Sequence, residues 1–190
     1  MPTPRLHTGR GGHVTIDSRA SAAAASWDPP DEFVASLYRS HAVALVRLAL
    51  MLLGDQPSAE DVVQDAFLGL QRGLPRLRER AKALPYLRTS VVNGCRTVQR
   101  TRTRARQRRA ESEPPVWSAE SAVIASEERR AVLAAVASMP GRTREVLALR
   151  YYLDLPDTEI AEILGVSRST VSSTASRALG KLARKLEEQV

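Results

Sequence analysis

Residues 157–187 carry the pattern of two helices joined by a tight turn, and this pattern constrains the fold more than any other. Ala161 is a small residue where the two helices would cross, and Gly165 tolerates the positive φ that such a turn requires. Ser167 is a favourable N-cap for the second helix. These features predict a helix-turn-helix, whose second helix enters the major groove of DNA. The face predicted to meet DNA carries Arg168, Ser169, Ser172, Ser173 and Ser176.

The alternative is an ordinary helical hairpin, but the Ala–Gly–Val spacing and the polar second helix favour the DNA-binding form. The charge of the chain points to the same kind of partner. The formal net charge of +7 favours a polyanionic partner. The basic residues are also clustered, since Glu79 is the only acidic residue between Arg72 and Arg109. A stretch whose charges are almost all positive, attached to an amphipathic helix, predicts a surface that binds the phosphates of a nucleic acid. The alternative is a charged face that is merely solvated.

Composition predicts an all-α fold. Hydrophobic residues make up 43% of the chain but aromatic residues only 4%, so the cores must be built from Leu, Val, Ala and Ile. We predict two small helical domains joined by an acidic flexible linker, the C-terminal one a helix-turn-helix. The proposed boundaries are a disordered leader over 1–30, a first domain over 31–110, the linker over 111–126 and a second domain over 127–190.

Apolar periodicity and capping signals place the helices. The first is predicted from Asp31 to Gly54. The second is predicted to open at Ser58, with Asp61 in a capping-box position, and to stop at Gly73. The third starts near Pro85, which is favourable in a first turn. In the second domain, helices are predicted over residues 119–138, 142–153, 157–164 and 167–187, the last burying Ala175, Leu179, Leu182 and Leu186.

Several classes of protein are disfavoured. Cys95 is the only cysteine, which excludes an internal disulfide and a multi-cysteine zinc site. His7, His13 and His41 are scattered, so neither a metal cluster nor a catalytic triad is expected, and no cofactor is predicted. The sequence has no run of about 18 apolar residues, so no membrane span is predicted. The N-terminus lacks the apolar core of a secretory signal. We therefore expect a cytoplasmic protein.

Three segments in one order resemble the extracytoplasmic-function sigma factors, the minimal two-domain sigma subunits of bacterial RNA polymerase, in the sigma-70 family. The segment "AEDVVQDAF" (59–67) is similar to the family's polymerase-binding segment. The segment "PYLRTSVVNGCRTVQRTRTR" (85–104) is similar to the segment that reads and melts the −10 element. Residues 139–182, from "MPGRTREVLALRYY" to "SRALGKL", are similar to the reader of the −35 element.

The resemblance implies partners and site residues. The partners would be core RNA polymerase, double-stranded and melted promoter DNA, and, as in many family members, an anti-sigma protein. The polymerase-binding residues would be Asp61, Val62, Gln64 and Asp65. The −10 element would be contacted by Asn93, Arg96 and Arg100, and by Arg78 and Arg80 in a loop that captures a flipped base. The −35 element would be contacted by Arg168, Ser169, Ser172, Ser173, Ser176 and Arg177.

The recognition helix departs from the family in one respect. Where family members often read "TVKSRLSRA", this chain reads "TVSSTASRA" over residues 170–178, so Ser172 and Thr174 replace two cations.

Two alternatives remain open. A stand-alone helix-turn-helix regulator of the response-regulator output type would also fit the C-terminal domain, although no phospho-acceptor or ligand pocket is predicted before it. An RNA-modifying enzyme could use the arginine-rich stretch to hold RNA, but the sequence offers no paired catalytic groups. We therefore predict that the protein is not an enzyme.

Overall fold

The computed structural model describes residues 30–77, 79–109 and 127–187. The predicted linker over 111–126 lies outside these residues, as does the predicted leader apart from Pro30. The described residues form an all-α structure, which confirms the predicted fold class. Its helices are α1 (Pro30–Leu53), α2 (Gln56–Gly73), α3 (Ala83–Arg109), α4 (Glu127–Ala137), α5 (Gly141–Leu147), α6 (Asp157–Leu164) and α7 (Arg168–Glu187). Short 3-10 turns, Leu74–Arg76 and Arg80–Lys82, lie between α2 and α3, and a π-helical turn, Ala148–Tyr152, continues α5.

Helices α1, α2 and α3 pack together as the first unit. Leu45, Leu48 and Leu52 recur on α1 at steps of three and four residues, so they lie on one face and are buried. On α3, Leu87 and Val91 repeat at four residues and are fully buried. The three helices therefore hold one another through aliphatic contacts, as the shortage of aromatic residues predicts.

Residues Asp31–Leu53 of α1 are long and apolar enough, by length and composition alone, to cross a membrane, with a mean hydropathy of 1.3. This helix instead packs against α2 and α3, and its residues Leu48 and Ala49 are completely buried. We therefore assign α1 to the core of the protein.

Asp55 sets the start of α2. The carboxylate of Asp55 accepts a hydrogen bond from the backbone N–H of Ser58 at 3.1 Å, which makes Asp55 the N-cap. The helix consequently begins at Gln56, two residues before the predicted start. The predicted capping box was wrong: the cap is supplied from Asp55, and Asp61 is an exposed residue further along the helix.

The crossing of α2 and α3 depends on Gly94. A Cβ atom added at Gly94 would lie 2.8 Å from Cγ1 of Val62, closer than real Cβ contacts allow. Glycine in a helix interior costs about 1 kcal/mol relative to alanine. Here that cost is offset by the close approach of two helices, so Gly94 is a packing residue.

The second unit contains the predicted helix-turn-helix. Gly165 ends α6 in the left-handed conformation, with φ of 65° and ψ of 45°. Ile160 and Val171 are completely buried where α6 and α7 meet. The structure also divides the predicted helix over 142–153 into α5 and the π turn, in which the N–H of Leu153 donates to the carbonyl of Ala148.

The buried stripe of α7 differs from the prediction at one position. Leu179 was expected to be buried, but 43% of it is exposed, whereas Ala178 is 1% exposed. Ala175 is buried and Leu182 is half-buried, so the stripe runs in steps of three and four residues through Ala178. Leu179 is rotated by one residue, about 100°, from that stripe.

Candidate nucleic-acid interface

The N-terminal half of α7 presents a polar face to solvent. The hydroxyl of Ser167 accepts a hydrogen bond from the N–H of Thr170 at 3.1 Å, which agrees with its predicted role as the N-cap. The buried residues Val171 and Ala175 lie on the opposite face of the helix, which packs against the rest of the second unit. The structure brings together on the exposed face all six residues predicted for the −35 element, Arg168, Ser169, Ser172, Ser173, Ser176 and Arg177.

Hydroxyl groups dominate this face, and some of them are engaged within the helix. Ser173 donates to the carbonyl of Thr170 at 3.2 Å, and the Nε of Arg177 donates to the carbonyl of Ser173 at 3.1 Å. The positive charge on the face is that of Arg168 and Arg177. Thr174 is half-buried, so it lies at the edge of the face and not at its centre.

A second polar surface runs along α3. Asn93, Arg96 and Arg100 are separated by three and four residues, so they lie on one side of the helix. Arg100 also lines an open cavity of about 350 Å³, together with Arg96, Gln99, Thr103 and Arg104. The exposed arginines of this surface are available to phosphates.

Arg96 is turned towards the second unit rather than towards solvent. Its Nε and Nη2 donate to the two carboxylate oxygens of Glu145 on α5, at 2.8 and 2.7 Å. Glu145 is only 5% exposed, and Arg142 also donates to it at 3.3 Å. The hydrogen bonds from Arg96 to Glu145 raise the pKa of the Arg96 guanidinium, because they stabilise its charged form.

The loop before α3 is tied to α1. The guanidinium of Arg80 lies over the ring of Phe33, 4.7 Å from its centroid, a distance at which cation and ring attract each other. Lys82 pairs with Glu79 at 3.1 Å. Arg78, also predicted for this loop, lies outside the described residues.

The arginine-rich stretch contains arginines of two kinds, which the sequence did not separate. Arg88 pairs with Glu159 on α6, and Arg102 pairs with Asp55 at 2.6 Å, so both are structural. By contrast, the last turns of the helix carry exposed guanidinium groups, at Arg100, Arg104, Arg106 and Arg108. In the sequence, Arg alternates with Thr or Ala through this stretch. That pattern does not distinguish the structural arginines from the exposed ones.

A third surface lies on α2, where Asp61, Gln64 and Asp65 are exposed as the resemblance implied. Val62, predicted with them, is instead 7% exposed and packs against Gly94. The prediction for Val62 is therefore corrected: its side chain belongs to the core, because Gly94 of α3 packs closely against it.

Sequence reasoning missed the apolar part of this surface. Leu68 is 45% exposed and lies four residues after Gln64, on the same side of α2. Tyr38 on α1 is 54% exposed, and its ring packs edge-on against Phe67 at 5.0 Å. Tyr38, Gln64 and Leu68 line one groove. The i, i+4 relation of Gln64 and Leu68 was the signal that could have revealed it.

The sequence matches two family profiles, sigma-70 region 2 over residues 37–106 and sigma-70 region 4 over residues 129–182. It is also 31% identical over 156 residues to an RNA polymerase sigma-E factor of Streptomyces avermitilis, covering 80% of this chain and 83% of that protein. The chain belongs to the extracytoplasmic-function sigma factors. The first unit is accordingly region 2 and the helix-turn-helix unit is region 4.

Other relatives agree with this assignment. The sigma factor is 29% identical over 174 residues to the ECF RNA polymerase sigma factor SigL of Mycobacterium tuberculosis, covering 90% of this chain and 97% of that protein. It is 32% identical over 140 residues to the probable RNA polymerase sigma factor RfaY of Xanthomonas campestris. In that comparison it spans only 34% of the relative's length.

Two solved structures share the fold of the sigma factor. The sigma factor RpoE from Bartonella quintana, solved with the anti-sigma factor NepR, matches with a TM-score of 0.68 and 22% identity over 83% of this chain and 98% of that one. CnrH, solved with the cytosolic domain of CnrY, matches with a TM-score of 0.62 and 22% identity over 85% and 96%. At this identity the likeness concerns the fold alone.

The two profiles together identify a promoter-recognising subunit of RNA polymerase. A stand-alone helix-turn-helix regulator is not favoured, because it leaves the region 2 match unexplained. Sigma factors are non-enzymatic initiation factors, which argues against the RNA-modifying enzyme.

Proposed function

We propose that this sigma factor uses three separate surfaces to start transcription: α2 for core RNA polymerase, α3 with its preceding loop for the −10 element, and α7 for the −35 element. The observation that carries the proposal is the sorting of charge among these helices. Exposed carboxylates lie on α2, whereas exposed guanidinium groups lie on α3 and at the start of α7. The acidic surface therefore suits a basic protein partner, and the two basic surfaces suit DNA.

The α2 surface combines charge with an apolar contact. Asp61 and Asp65 would attract a basic partner, and steering by opposite charge raises the rate of association. Leu68 and Tyr38 would supply the apolar area that is removed from water in the complex. We propose that these residues, with Gln64, dock on core polymerase.

The α7 surface would enter the major groove with its first turns. Arg168 has the reach and the donor pair to read a guanine, whereas the short serine hydroxyls make local contacts to bases or phosphates. Only two arginines lie on this face, so binding by region 4 alone should be weak, and most of the hold on phosphates should come from elsewhere in the holoenzyme.

The α3 surface and the Arg80 loop would hold the −10 element as it melts. Exposed Arg100 and Arg104 are placed for phosphates, and the loop held by Phe33 would take a base out of the stack. The sigma factor would supply binding energy and positioning only, with the chemistry performed by polymerase in the cytoplasm.

An anti-sigma protein is a further proposed partner. The structurally similar sigma factor RpoE of Bartonella quintana was solved with the anti-sigma factor NepR. The groove lined by Tyr38 and Leu68 offers an apolar surface for which core polymerase and an anti-sigma protein would compete.

The test of the proposal is reconstitution with core RNA polymerase. The full chain should co-purify with the core enzyme and direct transcription from a cognate promoter. Asp61→Arg combined with Asp65→Arg should abolish co-purification while leaving the helical content unchanged, because both side chains are exposed. Glu162→Arg is the matched control, since Glu162 is an exposed carboxylate on α6 and not on α2. Normal binding by the double variant would show that α2 is not the docking surface.

A further inference from the structure

An apolar groove lies between α1 and α2, and it begins at the first turn of α1. One face of each helix forms a wall of the groove, because its lining residues recur at steps of three and four. The groove has a volume of about 460 Å³, which is large enough for an aromatic side chain. Gln71 donates to Asp31 at 3.3 Å and closes the end nearest the start of α1.

The interior of the groove is apolar and open to solvent. Phe67 is buried, and the ring of Tyr38 packs edge-on against it at 5.0 Å. Tyr38 and Leu68 are nevertheless 54% and 45% exposed, so the described residues leave both side chains in contact with water. Large apolar side chains gathered at one exposed place favour an occupant that removes them from water.

The chain contains a suitable occupant beside the groove. Residues 1–29 lie outside the described residues and join α1 at Pro30, and Trp27 is the only aromatic residue among them. A residue just before a helix often packs against the first turns of that helix. The three residues from Trp27 to Pro30 span up to about 10 Å when extended, whereas Val34 of the groove lies about 6 Å along α1 from Pro30. Trp27 can therefore reach the groove by turning back along α1.

Charge complementarity extends this fit along α2. Asp61 and Asp65 are exposed and continue the groove-facing side of α2 beyond Gln64. Residues 1–29 contain three arginines and two aspartates, so their net charge is positive. Arg19 precedes Trp27 by eight residues, and an extended segment of that length spans up to about 28 Å, about the length of α2 itself. With Trp27 in the groove, Arg19 can reach the carboxylates of α2.

We propose that Trp27 folds back into this groove when the sigma factor is free, so that residues 1–29 cover the surface that docks on core polymerase. The inference rests on the role proposed for α2. An aromatic side chain buries about 150–250 Å², whereas a stable protein–protein interface buries about 1,200–2,000 Å². Core polymerase can therefore displace the segment, and the segment weakens core binding because both use Tyr38 and Leu68.

The fluorescence of Trp27 in the isolated full chain tests whether the groove is occupied. Trp117→Phe removes the other tryptophan, so all the emission then comes from Trp27. This emission should be blue-shifted and protected from acrylamide quenching, relative to the same chain unfolded in urea. Equal quenching of the folded and unfolded chains would overturn the proposal.

A pair of matched variants shows where Trp27 is bound. Leu68→Gln should remove the blue shift and the protection, because it replaces an apolar wall of the groove. Val43→Gln should leave both unchanged, since Val43 is an exposed apolar residue of α1 that does not line the groove. Protection that survives Leu68→Gln would place Trp27 elsewhere on the molecule and would also overturn the proposal.

Dilution separates the chain's own segment from that of a second copy. The protection of Trp27 should be independent of protein concentration, and light scattering should give the molar mass of a monomer. Protection that is lost on dilution would mean that Trp27 enters the groove of another copy, which would contradict a contact within one chain.

The affinity for core polymerase tests the competition. Trp27→Ala in the full chain should tighten core binding, by about tenfold if the groove is covered about nine-tenths of the time. Trp27→Phe keeps an aromatic ring and should stay close to the wild-type affinity. Unchanged or weaker binding by Trp27→Ala would overturn the competition. Fluorescence is measured without polymerase, so it decides whether the groove is occupied even if α2 proves not to be the docking surface.

Discussion

Arg102 on α3 donates hydrogen bonds to the Asp55 carboxylate at 2.6 Å and to the Leu53 carbonyl at 3.2 Å. One guanidinium therefore joins the end of α1, the start of α2 and the C-terminal part of α3. Arg104, two residues later, is exposed. The two arginines look equivalent in the sequence but have different tasks in the structure.

Replacing these arginines one at a time should separate stability from DNA binding. Arg102→Ala should lower the free energy of unfolding by about 1 kcal/mol, because charge-assisted hydrogen bonds are lost at a partly exposed site. Arg104→Ala should leave the melting temperature unchanged and should reduce the slope of log K against log salt by about 0.9 for one lost phosphate contact. Thermal unfolding and a salt titration of DNA binding check both, and a large loss of stability in Arg104→Ala would contradict the division.

Asp55 should make the stability of the protein sensitive to acid. Burial alone would raise the pKa of Asp55, but hydrogen bonds from Ser58 and Arg102 outweigh it and hold the pKa below its usual value. A carboxyl whose pKa is lowered on folding contributes stability above its unfolded value, near 3.8, and loses it as the pH falls through the folded value.

Two substitutions at Asp55 separate the cap from the charge. Asp55→Ala should cost about 1 kcal/mol at neutral pH, because the N-cap is lost. Asp55→Asn keeps a capping oxygen, so it should cost less and should flatten the dependence of stability on pH below 4. Denaturant unfolding at several pH values measures this, and an equally steep dependence in Asp55→Asn would assign the acid sensitivity to another group.

Gly94→Ala should destabilise the protein although alanine favours helices. The added methyl group would lie 2.8 Å from Val62, and forcing such a contact costs about 1–3 kcal/mol. Gly180→Ala on α7 is the matched control, since nothing lies within 4 Å of the added atom, and it should gain up to about 1 kcal/mol. Val62→Ala should relieve part of the cost of Gly94→Ala. Stabilisation by Gly94→Ala alone would refute the close crossing.

Cys95 should weaken the protein at alkaline pH. Burial, with a smaller contribution from the charge of Glu145, raises the pKa of the Cys95 thiol to about 12. The unfolded thiol ionises near pH 9, so stability is complete below that pH and is lost as the pH rises towards 12. Cys95→Ala should remove this part of the pH dependence. Comparing unfolding of both proteins between pH 8 and 11 checks it, and identical profiles would exclude the thiol as the cause.

The recognition helix should respond differently to two substitutions. Arg168→Ala should relax base preference at one position at a cost of about 1–3 kcal/mol. Ser172→Lys should tighten binding to all sequences and steepen the salt slope by about 0.9, because it adds a phosphate contact. Thr174 is half-buried and is unsuited to a similar change. Titrations of DNA binding on matched and mismatched −35 sites distinguish the two effects. An equal loss of affinity for all sequences in Arg168→Ala would show that Arg168 does not read a base.

The sequence by itself determined the elements whose causes are local. The end of α6 follows from Gly165, which reaches a positive φ at no steric cost, and the apolar repeat through Ile160 and Val171 identifies the side of each helix that is buried. The exposed polar face of α7 follows from the same repeat. These features depend on residues only a few positions apart. The spacing of apolar residues in the sequence therefore predicts them directly.

Only the tertiary structure decided which residues meet across the helices. Val62 looked like part of an exposed docking face until Gly94 was found against it, 32 positions later in the sequence. Arg96 looked like a free cation until Glu145, 49 residues away, was found to bind it. A periodic pattern shows that a side chain lies on a given face, but the partner of that face depends on how whole helices pack. The charge that a promoter can meet on α3 is therefore set by the contact between the two units.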